Sequence, residues 1–331
     1  MRAQTFNQQI EEPKFSAILA PTEGSDTEKR ALSVAVRLAR RHGARLDLLR
    51  IEATPYAIEP IRRQRSESDE VAERSVSRAE LDILAAACRA AARIPVVSSF
   101  ETGPVGRTIA EYARKSGADL IVMASHSRGG RKRAALGSVT EYVVRKTNLP
   151  VLVVKGGAPF VGPTVAESFS TIVIPLDGSP LSERIIPEAM KLATMLGSTI
   201  RLVHVLTPQR FSQEQIAEPT PPWWEAEIDA AREYLGTIAA HFGAAGIPVA
   251  VDVLLNDDIP LAILAFAERV GADIIAIATS GSGGMSRFVF GSVADEITRR
   301  SQVSLLAFHP VDAAPKTSSE QRLLSGVAVE V

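Results

Sequence analysis

Ten short apolar runs punctuate the chain. In the first half they fall near Ala17–Ala20, Leu46–Ile51, Pro95–Ser99, Leu120–Ala124 and Val151–Val154. In the second half they fall near Thr171–Pro175, Ile200–Leu206, Val249–Leu255, Ile274–Ala278 and Val303–Phe308. The runs are rich in β-branched residues and show little alternation of apolar with polar positions. That is the pattern of parallel strands covered on both faces. Between them lie stretches such as PVGRTIAEYARKSG (104–117) and IPLAILAFAERVG (259–271). Apolar residues three and four apart, closed by a glycine, predict amphipathic helices there. Strands alternating with helices predict an α/β fold with an open parallel sheet.

The helix starts carry their own signals. Ser25 with Glu28, Ser138 with Glu141 and, more loosely, Ser292 with Asp295 fit capping boxes. Ser179 precedes Pro180, a good first helical residue. Pro187 then predicts a kink or a late helix start.

The pattern is written twice. FSAILAPTEGS (Phe15–Ser25) matches FSTIVIPLDGS (Phe169–Ser179), and GADLIVMASHSRGGRKRAALGSVTEYV (Gly117–Val143) matches GADIIAIATSGSGGMSRFVFGSVADEI (Gly271–Ile297). Phe15 and Phe169, Gly117 and Gly271, and Gly137 and Gly291 are each 154 residues apart. A constant offset across separated blocks implies a tandem duplication. The expected division is an extension over 1–14, one domain over 15–156, a linker over 157–168, a second domain over 169–310 and a tail over 311–331. The join is rich in glycine and proline, as linkers are.

Composition narrows the function classes. The 331 residues carry a net charge of -1, which gives no pull towards nucleic acid or an anionic membrane. The single cysteine, Cys88, cannot form an internal disulfide and fits a reducing compartment. It also excludes a thiolate zinc site within one chain. No apolar run reaches membrane-spanning length, and the first residues lack a signal-peptide core. The expectation is a soluble, cytoplasmic protein.

Ligands of open α/β sheets bind outside the carboxyl ends of the strands. After the first strand of the second half comes PLDGS, with Asp177; after the fourth comes ATSGSGGMSRFVFGSV. Gly281 and Gly291 lie at the two ends of that loop, and Ser292 opens a helix. Glycine lets a backbone N–H approach an anion, and a helix N-terminus favours negative charge. A carboxylate on the neighbouring strand end can accept from ribose hydroxyls or a base. By themselves the glycines more often mark a flexible turn, so the signal from them alone is weak.

In the repeated blocks, the IPLDGS start and the closing LPVLVV, the chain resembles universal stress protein domains in tandem. The resemblance covers nearly all of residues 15–310. It implies two repeated open five-stranded parallel-sheet domains, nucleotide-binding and Rossmann-like, paired through their last strands as an intramolecular pseudo-dimer. Further association into a homodimer is compatible with it. Members that bind ATP carry glycine, two residues, glycine, nine residues, glycine and serine or threonine. Here the second half reads Ala278, two residues, Gly281, nine residues, Gly291-Ser292. The resemblance implies that Asp177 meets the adenosine, that Val205 lies near the base and that Pro175 belongs to the same site. It further implies that Ile277, Ala278 and Thr279 line the ribose side, while Gly281, Gly291, Ser292 and Val293 cradle the phosphates. The ligand would be ATP, AMP or ADP, with Mg2+ accompanying it.

The first half departs further from that pattern. Its weaker site comprises Glu23, Ser125, His126, Ser127, Gly137 and Ser138. Ser127 replaces the middle glycine and Glu23 the aspartate. Arg128, Arg131, Lys132 and Arg133 are either phosphate grips or a solvated basic turn. His204 is expected to be a packing residue, and His42, His241 and His309 lack partners at metal spacing. Trp223 and Trp224 suit either a partner surface or packing on their own domain. Three functions compete: a nucleotide-binding stress regulator acting on protein partners, an interaction module with both sites degenerate, and an enzyme. No serine–histidine–acid set or metal cluster supports the third, although slow ATP hydrolysis stays compatible with the first.

Overall fold

A computed structural model describes residues 14–23, 25–53, 67–125, 136–155, 169–208, 222–279 and 291–310. The first half contributes β1 (Ala17–Thr22), β2 (Arg45–Ala53), β3 (Val96–Gly103), β4 (Leu120–Ala124) and β5 (Val151–Val154). The second contributes β6 (Thr171–Pro175), β7 (Thr199–Leu206), β8 (Val249–Leu255), β9 (Ile274–Ala278) and β10 (Ser304–Phe308). All ten form one sheet in the order β3-β2-β1-β4-β5-β10-β9-β6-β7-β8. Pairing is parallel inside each half. At the centre β5 and β10 run antiparallel, with Leu152 opposite Leu306. The halves therefore join through their last strands.

The helices cover both faces. On one lie α1 (Asp26–His42), α2 (Glu67–Ala92), α5 (Ile186–Leu196) and α6 (Pro222–Ala244). On the other lie α3 (Val105–Ser116), α4 (Ser138–Lys146), α7 (Ile259–Arg269) and α8 (Ser292–Arg300). Successive strand residues feed opposite layers: Leu152 and Val154 join the first, Val151 and Val153 the second. This is why the strands read as unbroken apolar runs. Each layer continues through both halves. Burying one large aliphatic side chain stabilises a fold by about 1.5–3 kcal/mol, so the shared layers bind the halves together.

Helix ends reinforce the join. Arg41 Nη1 donates to the Leu196 carbonyl at 2.7 Å, linking α1 to the end of α5. Gly197 turns the chain there with φ +72, and a Cβ on it would lie 3.0 Å from the Arg41 guanidinium. The left-handed turn favours glycine there.

Local helix-start signals fared less well. Ser138 and Ser292 are first helical residues, and Gly137 and Gly291 hold the cap positions. Glu141 and Asp295 do not reach back; they pair forward with Arg145 and Arg299 at 2.7 and 2.8 Å. An arginine one turn on competes for the carboxylate. Ser25 holds the cap position of α1 without a side-chain cap bond, and Glu28 accepts from the Glu23 N–H at 2.5 Å. Pro180 does not begin an α-helix: a turn and a 3-10 segment (Ser182–Ile185) come first, and α5 starts late with Pro187 in its first turn.

Candidate functional site

Asp177 follows β6 in a turn that its own side chain builds. Gly178 takes φ +79, and Asp177 Oδ1 accepts the Ser179 N–H at 2.9 Å. The Asp177 N–H donates to Ser182 Oγ at 3.4 Å, and the Ser182 N–H donates to Ser179 Oγ at 3.1 Å. These interlocked short-range bonds hold an exposed carboxylate at the strand end. Burial, the largest single influence, pushes this carboxyl up, but the bonds from Ser179 and Ser182 together bring it below the ordinary aspartate value. It is an ionised acceptor at neutral pH.

Behind the turn, Tyr234 of α6 donates to Glu183 Oε1 at 3.0 Å and meets the His204 ring edge-on, 6.3 Å between centroids. Burial, then the Glu183 bond, raises the Tyr234 phenol far above its ordinary value, so it stays a donor. His204 Nδ1 lies 2.8 Å from the Leu176 carbonyl, which makes it the satisfied packing histidine expected.

Pro175 and Val205, at the ends of β6 and β7, are half-buried. Ile277 is buried in the core, while Ala278 is half-buried at the end of β9. Thr279 follows, buried: its N–H donates to the Phe308 carbonyl at 2.8 Å and its hydroxyl lies 3.1 Å from His309 Nδ1. Gly291 caps α8 with φ -50 and ψ 145 and offers no side-chain cap bond. Ser292 is exposed, and Val293 packs partly on the core. The first N–H groups of α8 thus lack a side-chain acceptor from their cap, unlike those of α7, where Asp258 accepts the Leu261 N–H at 2.9 Å. β6 lies between β9 and β7, so Asp177 and Thr279, which follow β6 and β9, and Val205, near the end of β7, lie at one edge of three adjacent parallel strands. Gly281 lies outside the described residues.

In the first half, Glu23 is exposed after β1, Ser125 is half-buried after β4, Gly137 caps α4 and Ser138 is exposed. His126, Ser127, Arg128, Arg131, Lys132 and Arg133 lie outside the described residues, as do the side chains of Trp223 and Trp224, the linker and the tail. Sequence reading missed what four sets of residues do. Glu28, buried at 4% exposure, stands where the second half has Ser182. Asp119 and Asp273 hold strand starts, Tyr234 backs the Asp177 turn, and Lys155 and His309 flank the central seam. The repeat offset was the available signal, since it pairs 28 with 182, 119 with 273 and 155 with 309. Among the described residues no cluster of three or more His, Cys, Asp or Glu could hold a metal, and no helix is long and apolar enough to cross a membrane.

The doubled α/β unit, with an acidic turn after its first strand and a helix led by glycine after its fourth, defines a tandem of small α/β domains with open parallel sheets. The universal stress protein family model matches residues 14–155 and again 168–309. The chain belongs to the universal stress protein family. A universal stress protein of Mycolicibacterium smegmatis is 23% identical over 301 residues, 88% of this chain and 97% of that protein. One of Mycobacterium tuberculosis is 24% identical over 189 residues, 57% of this chain; the match spans 61% of that relative's length. Among solved structures, a universal stress protein from Archaeoglobus fulgidus shares the fold with a TM-score of 0.63 and 21% identity, covering 91% of this chain and all of that one. A universal stress protein in complex with cAMP aligns with 44% of this chain and all of its own, at 21% identity and a TM-score of 0.33.

Proposed function

We propose that the chain is a regulatory protein that binds ATP, or another adenine nucleotide, in its second half and presents a nucleotide-dependent surface to protein partners. The observation that carries this reading is the ionised, turn-braced Asp177 on the same sheet edge as Thr279 and the uncapped head of α8. The carboxylate suits ribose or base donors, and free helix N–H groups suit phosphates. Mg2+ would arrive on the phosphates rather than in a protein cage. The first half binds more weakly in this reading. Glu23 and Glu28 stand there where the second half has Asp177 and Ser182, which places an extra carboxylate near an incoming anion. The role is regulatory rather than catalytic, and its setting is the cytoplasm.

A second reading, an interaction module without nucleotide, is favoured by Ala278, which stands where binders carry glycine. To decide, the purified protein is denatured and any released nucleotide identified by mass spectrometry; ATP and AMP are then titrated into stripped protein. One nucleotide per chain supports the second half as the sole site, and two would add the first. No binding at millimolar ATP would leave the interaction module.

A further inference from the structure

The central seam places Lys155 and His309, one repeat offset apart, at the ends of the two antiparallel strands. Their surroundings are not equivalent. Lys155, 8% exposed, crosses from the first half into the second. Its Nζ donates to the Thr298 carbonyl at 2.8 Å and to the Ser301 carbonyl at 3.2 Å, both at the closing end of α8. Its backbone N–H donates to Ser304 Oγ at 3.2 Å. His309 makes no such reach: its Nδ1 lies 3.1 Å from Thr279 Oγ1 and 3.2 Å from the Thr279 carbonyl, inside its own half. The two residues thus brace opposite edges of the second half: His309 the edge where its parallel strands end, and Lys155, from across the seam, the edge where β10 begins.

α8 has nine residues, so it is a rod about 13.5 Å long with the uncapped Gly291–Ser292 head at its other end. Two charge-assisted hydrogen bonds on its last carbonyls fix the tilt of the whole rod. The ammonium also meets the negative end of the helix dipole, leaving the positive end facing the edge. We propose that Lys155, supplied by the first half, is a positioning residue for anion binding at the head of α8, so that the second half's affinity for nucleotide is set across the seam. This rests on the nucleotide reading above.

The Thr298 and Ser301 carbonyls at the end of α8 face the ammonium, and among the described residues no carboxylate pairs with it. Burial lowers Lys155 from 10.5 to about 8. Its charge is therefore lost within reach of ordinary buffers, above the range in which ATP phosphates titrate.

The test measures ATP affinity by calorimetry on the full chain from pH 7 to 9, for wild type, Lys155→Met and Lys155→Arg. Lys155→Met is expected to bind about tenfold more weakly at pH 7, a typical coupling between linked sites. Lys155→Arg should recover most of that loss. Wild-type affinity should fall as pH rises through about 8, whereas the methionine variant should show a flat profile. A purely structural lysine would not produce that difference in pH profile. Equal affinities and matching profiles in a folded Lys155→Met overturn this proposal alone. No ATP binding by wild type overturns the nucleotide reading and this proposal with it.

Discussion

Asp119 and Asp273, one repeat offset apart, make the same pair of hydrogen bonds. Asp119 accepts the N–H groups of Ser16 and Ala17 at 2.7 and 3.0 Å, and Asp273 accepts those of Ser170 and Thr171 at 2.6 and 3.0 Å. Each carboxylate precedes the fourth strand of its half and ties down the entry of the first. That sets the height at which the two strands end together at the opposite edge. Replacing either aspartate with alanine is expected to cost about 1.5–3 kcal/mol, the range for hydrogen bonds to a charged group. Urea unfolding checks this, and a loss near zero at both positions would contradict it.

Leu306 faces Leu152 across the seam, and both are fully buried. Leu306→Ala should cost about 2–5 kcal/mol. Because the core layers run through both halves, the loss should shift one common transition. Circular dichroism of urea unfolding showing two separated steps, only one of them displaced, would refute a shared core.

His309 supplies a pH dependence. Burial is the main cause that lowers it below 6.5; the Thr279 carbonyl raises it, and Lys146 and Arg145 from α4 lower it further. The folded protein holds fewer protons here than the unfolded chain, so stability rises with pH in that window. The contribution is intact above about 6.5 and declines as pH falls below it. His309→Asn should flatten that part of a melting-temperature profile taken from pH 7.5 to 5. An unchanged acid slope would place the dependence elsewhere.

For the proposed site, Gly281→Val and Asp177→Ala should each abolish ATP binding and leave the circular dichroism spectrum unchanged. Asp177→Ala also removes the acceptor for the Ser179 N–H, so a stability loss of about 1 kcal/mol should accompany it. Asp177→Asn keeps an acceptor oxygen in the turn and should separate the two effects, losing affinity with less loss of stability. Wild-type affinity in both Gly281→Val and Asp177→Ala would rule out this assignment.

The sequence by itself determined where the strands lie, that the fold is α/β and that it occurs twice. A run of β-branched residues covered on both faces must be apolar throughout, and that shows in the chain without knowledge of its neighbours. β4, β5, β6, β8 and β9 keep the bounds that their apolar runs predict. The motif also marked Asp177, Thr279 and Gly291 as edge residues, because they follow those strands or open a helix. Tertiary structure alone decided which distant groups meet. Tyr234 finds Glu183, and Lys155 crosses the seam to the end of α8. Local spacing fixes the direction of a side chain along its own element. The docking of two elements far apart in sequence fixes what that side chain can reach.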